Sequence, residues 1–258
     1  MKDATLFNKE RHQKILELLH RDGSVNVNSL AELFHVTPAT IRADLSRLET
    51  ESALTRTHGG AIANVPAHRE LQMNERHNED QKHRIAARAV ELVNEQDILL
   101  LDTGTTMLSL AKALVNSPLQ ELTIFTNDID VIRILEEKEN FSLHLFAGKM
   151  RNGFHYCYGS QVTQALRDCH FNKLFLSTSA ISPQQGLTIA NPELAQIKRE
   201  MIRASEHCIL LVDSSKMHQV HFQKFADLEQ MDILIMDSAL SEKDVRALDN
   251  KVKNLILV

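Results

Sequence analysis

Residues 99–114, LLLDTGTTMLSLAKAL, change period part-way. An apolar run stops at Asp102, crosses Gly104 and restarts with apolar residues at helical spacing from Met107 to Leu114. A short continuous apolar run is the pattern of a strand covered on both faces, and the new period is that of a helix. The stretch therefore predicts a strand, a tight polar turn and a helix whose first-turn N–H groups lack intrahelical partners, an arrangement suited to an anion such as a phosphate. Gly104 allows close backbone approach, and Thr105 and Thr106 add hydroxyls.

The alternation extends in both directions. Apolar runs recur in LTIFT, FSLHLFAG, NKLFLSTSA, HCILLVD, MDILIMD and NLILV. Amphipathic stretches separate them, among them DIDVIRILEE, SQVTQALRDC, NPELAQIKREMIRAS and SEKDVRAL, with a further helix from about Gln81 to Asn94. Strands alternating with helices predict an α/β domain with a largely parallel sheet. Ligands of such sheets bind beyond the carboxyl ends of the strands. Those ends are Asp102, Thr126-Asn127, Ala147-Gly148, Ser177-Thr178, Asp213 and Asp237. Lys216, just after a strand, is the candidate counter-charge for a phosphate. Asp102 and Asp213 would repel one, so they are expected to bind hydroxyls of a sugar or polyol, or to orient Lys216.

The first sixty residues follow a different plan. KERHQKILELLHRDG places Ile15, Leu18 and Leu19 at helical spacing before Gly23. In SVNVNSLAELFHV, Val25 and Val27 alternate like a short strand, and Ser29 to Phe34 form a helix with Leu30, Leu33 and Phe34 inward. VTPATIRADLSRLETE begins with a good N-cap, Thr37, and a proline at the first helical position, and aligns Ile41, Leu45 and Leu48 on one face. Three short helices in this order predict a helix-turn-helix. The outward arc of the third carries Ala39, Thr40, Arg42, Ala43, Ser46 and Arg47, small enough to enter a major groove with arginine reaching bases or phosphates. Asp44, at the edge of that arc, is expected to hold Arg47 or another helix. ALTRTHGGAI then predicts a wing, with Arg56 and His58 placed against the DNA backbone or minor groove. The expected domains are 1–62 for DNA, 63–80 as linker and 81–258 for the effector.

Composition narrows the class. The chain has 258 residues, 43% apolar and 24% charged, with a net charge of −5. Its first sixty residues balance eight basic against eight acidic groups, so any nucleic-acid contact must come from a local face. No apolar run approaches the ~20 residues of a membrane span, the start lacks a signal-peptide stretch, and the three cysteines form no CxxC pair. These features point to a cytoplasmic protein with reduced thiols. The pairs His155/Cys157, His207/Cys208 and His218/His221 match no zinc spacing, so no metal and no cofactor is expected. Neither a GxSxG elbow nor a Walker loop occurs. Glu193 and Lys198 could serve as acid and base, but read as solvated helix residues. A regulator with a sensor and a phosphosugar isomerase with an added helical module both fit at this point. For the second, Asp102, Asp213 and Glu193 are the candidate acids and bases.

Taken in order, ERHQKILELL, VTPATIRADLSRLE, TRTHGGA, KHRIAARAVELV, DILLLDTGTT, FTN, GLTIANPE and HCILLVDSSK resemble the DeoR family of bacterial transcriptional regulators over nearly the full chain. The resemblance implies an N-terminal winged helix and a C-terminal sensor similar in fold to ribose-5-phosphate isomerase. It also implies a repressor of sugar or polyol catabolism released by a phosphorylated intermediate. It assigns operator DNA to Thr37, Thr40, Arg42 and Arg47. The effector falls to Asp102, Gly104, Thr105, Thr106, Asn127 and Lys216, with Gly148 on the pocket floor. No residue is assigned to catalysis. A homodimer or homotetramer is implied, because one helix reads only a short half-site. Three positions depart from the family pattern. Ala43 stands where a second arginine is usual, Ser52-Ala53 replaces the glycine before the wing, and Ala147-Gly148 replaces a Gly-Gly pair.

Overall fold

The computed structural model describes residues 8–22, 24–50, 54–57, 59–63 and 78–258. The chain divides into two compact units, residues 1–70 and 71–258. His58, Gly23, Ser52-Ala53 and linker positions 64–77 lie outside the described residues.

In the first unit, helix α1 (Asn8–Asp22) is followed by strand β1 (Ser24–Asn26), helices α2 (Val27–Phe34) and α3 (Pro38–Thr50), and strands β2 (Leu54–Thr57) and β3 (Gly60–Ala63). Ile15, Leu19, Leu30, Phe34, Ile41, Leu45, Leu48 and Leu54 form its core. Two details differ from expectation. Val27 opens α2 instead of ending a strand, because the Asn26 side chain accepts from the N–H groups of Asn28 and Ser29 and starts the helix there. That start turns Val27, Leu30, Ala31 and Phe34 inward and leaves Leu33 56% exposed. Thr37 caps α3 as expected, its Oγ1 accepting from the Thr40 N–H at 3.2 Å.

The wing is a three-stranded antiparallel sheet in the order β1-β3-β2. Its two glycines are not equivalent. A Cβ on Gly60 would stand 1.8 Å from the Val25 carbonyl oxygen, whereas one on Gly59 would meet only the Asn26 side chain at 3.9 Å. The glycine at 60 is thus required by the backbone of β1.

The second unit is built on strands β4 (Ile98–Leu101), β5 (Thr123–Thr126), β6 (Ser142–Leu145), β7 (Lys149–Arg151), β8 (Tyr156–Tyr158), β9 (Phe171–Leu176), β10 (Ala180–Ser182), β11 (Gly186–Ile189), β12 (Ser205–Leu211), β13 (Gln223–Ala226), β14 (Ile233–Met236) and β15 (Leu255–Leu257). Its helices are α4 (Glu79–Val90), α5 (Thr105–Val115), α6 (Ile129–Leu135), α7 (Ser160–Arg167), α8 (Pro192–Arg203) and α9 (Glu242–Asp249). Seven strands form one parallel sheet in the order β15-β14-β12-β9-β4-β5-β6. Alternate residues of each strand enter opposite cores, since side chains alternate along a strand. Leu100, Leu174, Leu210 and Leu234 meet α7 and α8, while Leu99, Leu101, Ile209 and Ile235 meet α4, α5 and α6. The helix expected over 81–94 spans Glu79–Val90. It ends early because Leu92 and Val93 close tight turns onto Ala89 and Val90.

Strand order reverses at β4, from which the chain first steps out to β5 and β6 and then returns to β9 on the other side. The connections after β4 and β9 diverge to opposite faces of the sheet, leaving a crevice at their carboxyl ends. Asp102 and Ser177 stand at that crevice.

Candidate functional site

Asp102 follows β4 and is fully buried. Its Oδ2 accepts from the Ser177 N–H at 2.9 Å, from the Ser177 hydroxyl at 2.9 Å and from the Lys198 ammonium. Lys198 also donates to the Ser177 carbonyl at 3.1 Å and lies 5.5 Å from the Phe225 ring centre. With 1% exposure it is not the solvated helix residue expected from sequence. The signal was its spacing: Leu194, Ile197, Lys198 and Met201 share the inward face of α8. Asp102 therefore orients Lys198 and not Lys216. Its other oxygen, Oδ1, is buried with no donor in reach.

Asn127 follows β5, the strand beside β4, and is fully buried as well. Its Nδ2 donates to the Cys157 carbonyl at 2.7 Å, while its Oδ1 has no partner. Leu101 pairs with Thr126, so these two residues leave adjacent strands at the same level, about 5 Å apart. Each of the two thus keeps one buried acceptor without a donor, and a buried polar group left unpaired costs free energy.

Gly104 has φ +107° and caps α5. Its N–H donates to Asp128 Oδ2 at 3.3 Å, so one amide of the expected anion grip is already engaged by the protein. The next two, on Thr105 and Thr106, have no intrahelical acceptor by helix geometry. Burial pushes the Asp128 carboxyl up to about 7, against N–H donation from Val131, Gly104 and Asp130. The folded state therefore holds a proton there that the unfolded chain releases near pH 4, and stability falls as pH rises through that window. Asp128→Asn keeps the cap to Asp130 and Val131 and is expected to flatten the Tm between about pH 4 and 7 relative to the parent. An unchanged slope would assign the effect elsewhere.

The other expected effector residues are more dispersed. Asp213 accepts from Asn78 Nδ2 at 2.8 Å and caps the short turn Ser214–Lys216. Lys216 is half-buried and takes part in none of the described ion pairs. It follows β12, two strands from β4. Gly148 is exposed and serves the backbone, since a Cβ there would lie 2.5 Å from the Tyr158 carbonyl oxygen. Glu193 is exposed at the start of α8. His155 engages Asp130 at 2.7 Å and His218 engages Asp244 at 2.9 Å, an alternative to the metal ligation weighed for both.

On the first unit, Arg42 and Arg47 project from α3 as exposed side chains. Arg56 lies across the same helix, with its guanidinium donating to Ser46 Oγ at 2.6 Å and its N–H to Glu49 Oε1 at 2.8 Å. Thr37 and Thr40 share a hydroxyl hydrogen bond of 2.9 Å. Asp44 holds another helix: it takes two hydrogen bonds from Arg11, of 2.6 and 3.1 Å, and lies 2.9 Å from His12 Nε2.

Residues 11–67 match the model of the DeoR-like helix-turn-helix domain, and residues 77–238 match that of the DeoR C terminal sensor domain. The chain belongs to the DeoR family. This DeoR-family chain is 36% identical to the HTH-type transcriptional regulator YulB of Bacillus subtilis, over 94% of its own length and 93% of the relative's. It is 35% identical to a lactose phosphotransferase system repressor of Streptococcus mutans, covering 91% and 94%. It is 31% identical to a putative aga operon transcriptional repressor of Escherichia coli O157:H7, covering 96% and 93%. Ribose 5 phosphate isomerase A from Neisseria gonorrhoeae superposes on 53% of this chain and 52% of its own, with TM-score 0.39 and 15% identity. Family membership makes the chain a DNA-binding transcriptional regulator with a sensor domain, and not an enzyme. No described helix is long and apolar enough to cross a membrane.

Proposed function

We propose that this regulator represses a cytoplasmic sugar- or polyol-catabolic operon and is released by a phosphorylated sugar or polyol. The unpartnered Oδ1 of Asp102, set at the amino end of α5, carries the reading. One molecule with hydroxyls for Asp102 and Asn127 and a phosphate for the Thr105 and Thr106 amides satisfies both features. Gly104 permits the approach, Gly148 shapes the floor and Lys216 supplies a positive charge. Residues 1–62 bind double-stranded operator DNA through Thr37, Thr40, Arg42 and Arg47, aided by Arg56 and His58 on the wing. Residues 63–80 link them to the sensor, 81–258. A homodimer or homotetramer presents paired recognition helices, and effector binding favours the arrangement that misaligns them. Operator affinity then falls by the ratio of effector affinities for the two arrangements. Ala43 removes one contact on that helix.

The test is a labelled promoter fragment titrated with protein, then with a panel of sugar and polyol phosphates. Arg42→Ala is expected to weaken the complex about tenfold or more, as loss of a bidentate base contact does. Thr105→Ala and Lys216→Ala are expected to bind DNA normally and to release it poorly. A complex insensitive to the whole panel would overturn the effector assignment.

A further inference from the structure

The hairpin of β7 and β8 was not legible in sequence, and it covers the end of β5. Cys157 N–H donates to the Asn127 carbonyl at 2.7 Å, Asn127 Nδ2 returns a bond to the Cys157 carbonyl, and Ile129 N–H donates to His155. Tyr156 pairs by backbone with Asp128, whose carboxylate holds the Gly104 N–H. The hairpin is therefore fastened to the residues that shape the candidate site.

Arg151 stands opposite Tyr156 in that hairpin. Its guanidinium donates to the Tyr156 hydroxyl at 2.9 Å and stacks 4.3 Å from the Phe154 ring centre. It has no carboxylate partner among the described ion pairs, although it is half-buried. Tyr156 is 4% exposed, and the charge of Asp102 is the least of the causes that act on its hydroxyl. Burial is the main cause of its raised pKa. A tyrosine that accepts from arginine keeps its own proton to give. An oriented guanidinium with spare donors and a phenol proton thus belong to the hairpin fastened at the end of β5, where Asn127 holds one unpartnered acceptor, next to β4, after which Asp102 holds the other.

We infer that Arg151, held in place by Tyr156, is the cation that grips the anionic group of the effector. This rests on the proposed function and adds a second source of charge beside Lys216's. The fork of Arg151 matches a phosphate through two parallel hydrogen bonds, which an ammonium cannot reproduce.

The experiment measures binding to the full chain by calorimetry. The probes are fructose 1-phosphate, fructose 6-phosphate, glucose 6-phosphate, ribose 5-phosphate and glycerol 3-phosphate, each beside its unphosphorylated parent. For whichever phosphate binds the parent protein, Arg151→Ala is expected to weaken binding at least about tenfold. Arg151→Lys should recover only part of that loss, Tyr156→Phe should fall between, and affinity for the unphosphorylated compound should not change. Unaltered Tm and operator affinity of the free variants would show that they fold. A wild-type protein that binds a phosphate as tightly as Arg151→Ala does overturns the inference and leaves the proposed function standing. A wild-type protein that binds none of the phosphates overturns both.

Discussion

Asp102→Ala is expected to cost the sensor unit about 3–5 kcal/mol, the usual penalty for breaking a buried ion pair from one side. The Lys198 ammonium would remain in a crevice with only the Ser177 carbonyl and the Phe225 ring for company. In a unit of this size such a loss lowers Tm by roughly 10 °C. The reverse change is milder. Lys198→Met removes the charge and keeps the stem, and Asp102 Oδ2 still receives two donors from Ser177. Asp102→Ala combined with Lys198→Met should lose less than the two single changes summed, because neither charge is then stranded. Calorimetric unfolding of the four proteins checks the cycle. Equal losses in both single variants, undiminished in the double, would show that the pair does not act as a unit.

The second large effect is expected at the other end of the chain. Asp44→Ala takes from Arg11, 7% exposed between α1 and α3, the carboxylate that accepts two of its hydrogen bonds, and should cost the DNA-binding unit about 3 kcal/mol. Burial by itself raises the Asp44 carboxyl, but hydrogen bonds and charge from Arg11 and His12 outweigh it and hold the group below its ordinary value. Its contribution is thus complete above the carboxylate range and is lost as pH falls through the depressed value. The parent unit should lose stability in acid more steeply than Asp44→Asn does. Operator affinity of the variant tracks the same loss, since α3 is held through this pair. If Asp44→Ala melts with the parent at neutral pH, the ion pair does not support the unit.

How much of this was readable beforehand follows from the length of each signal. The strands of the parallel sheet announce themselves because both faces are apolar, as in Leu99–Leu101 and Cys208–Leu211. Thr37-Pro38 sets the start of α3 by local chemistry alone, and the structure keeps it. The hairpin at 149–158 is different. Its strands have three residues each, too few for a period, and its place is set by Asn127, some thirty positions earlier. Of the buried charges, Asp44 reads in sequence as holding Arg47 or another helix and holds α1, whereas Lys198 is misread there as solvated. Lys198 falls in register with Leu194, Ile197 and Met201, and Asp44 with Ile41, Leu45 and Leu48. A charged residue at an inward position of a helix asks for a partner, and the partner comes from a distant element. Sequence spacing shows the need without showing who meets it.

The separation of those partners has a kinetic consequence. Asp102 waits for Ser177, 75 positions later, and for Lys198, 96 positions later, before its Oδ2 is satisfied. Contacts closed over such long loops form late, because chain entropy must be overcome first. During synthesis the turn after β4 emerges long before β9 can lie beside it. A nascent chain that stops short of β9 carries the whole DTGTT motif and none of the crevice. Ligand competence therefore reports that the sheet has closed around its central strand, and a ligand present during refolding should accelerate nothing until that step is past.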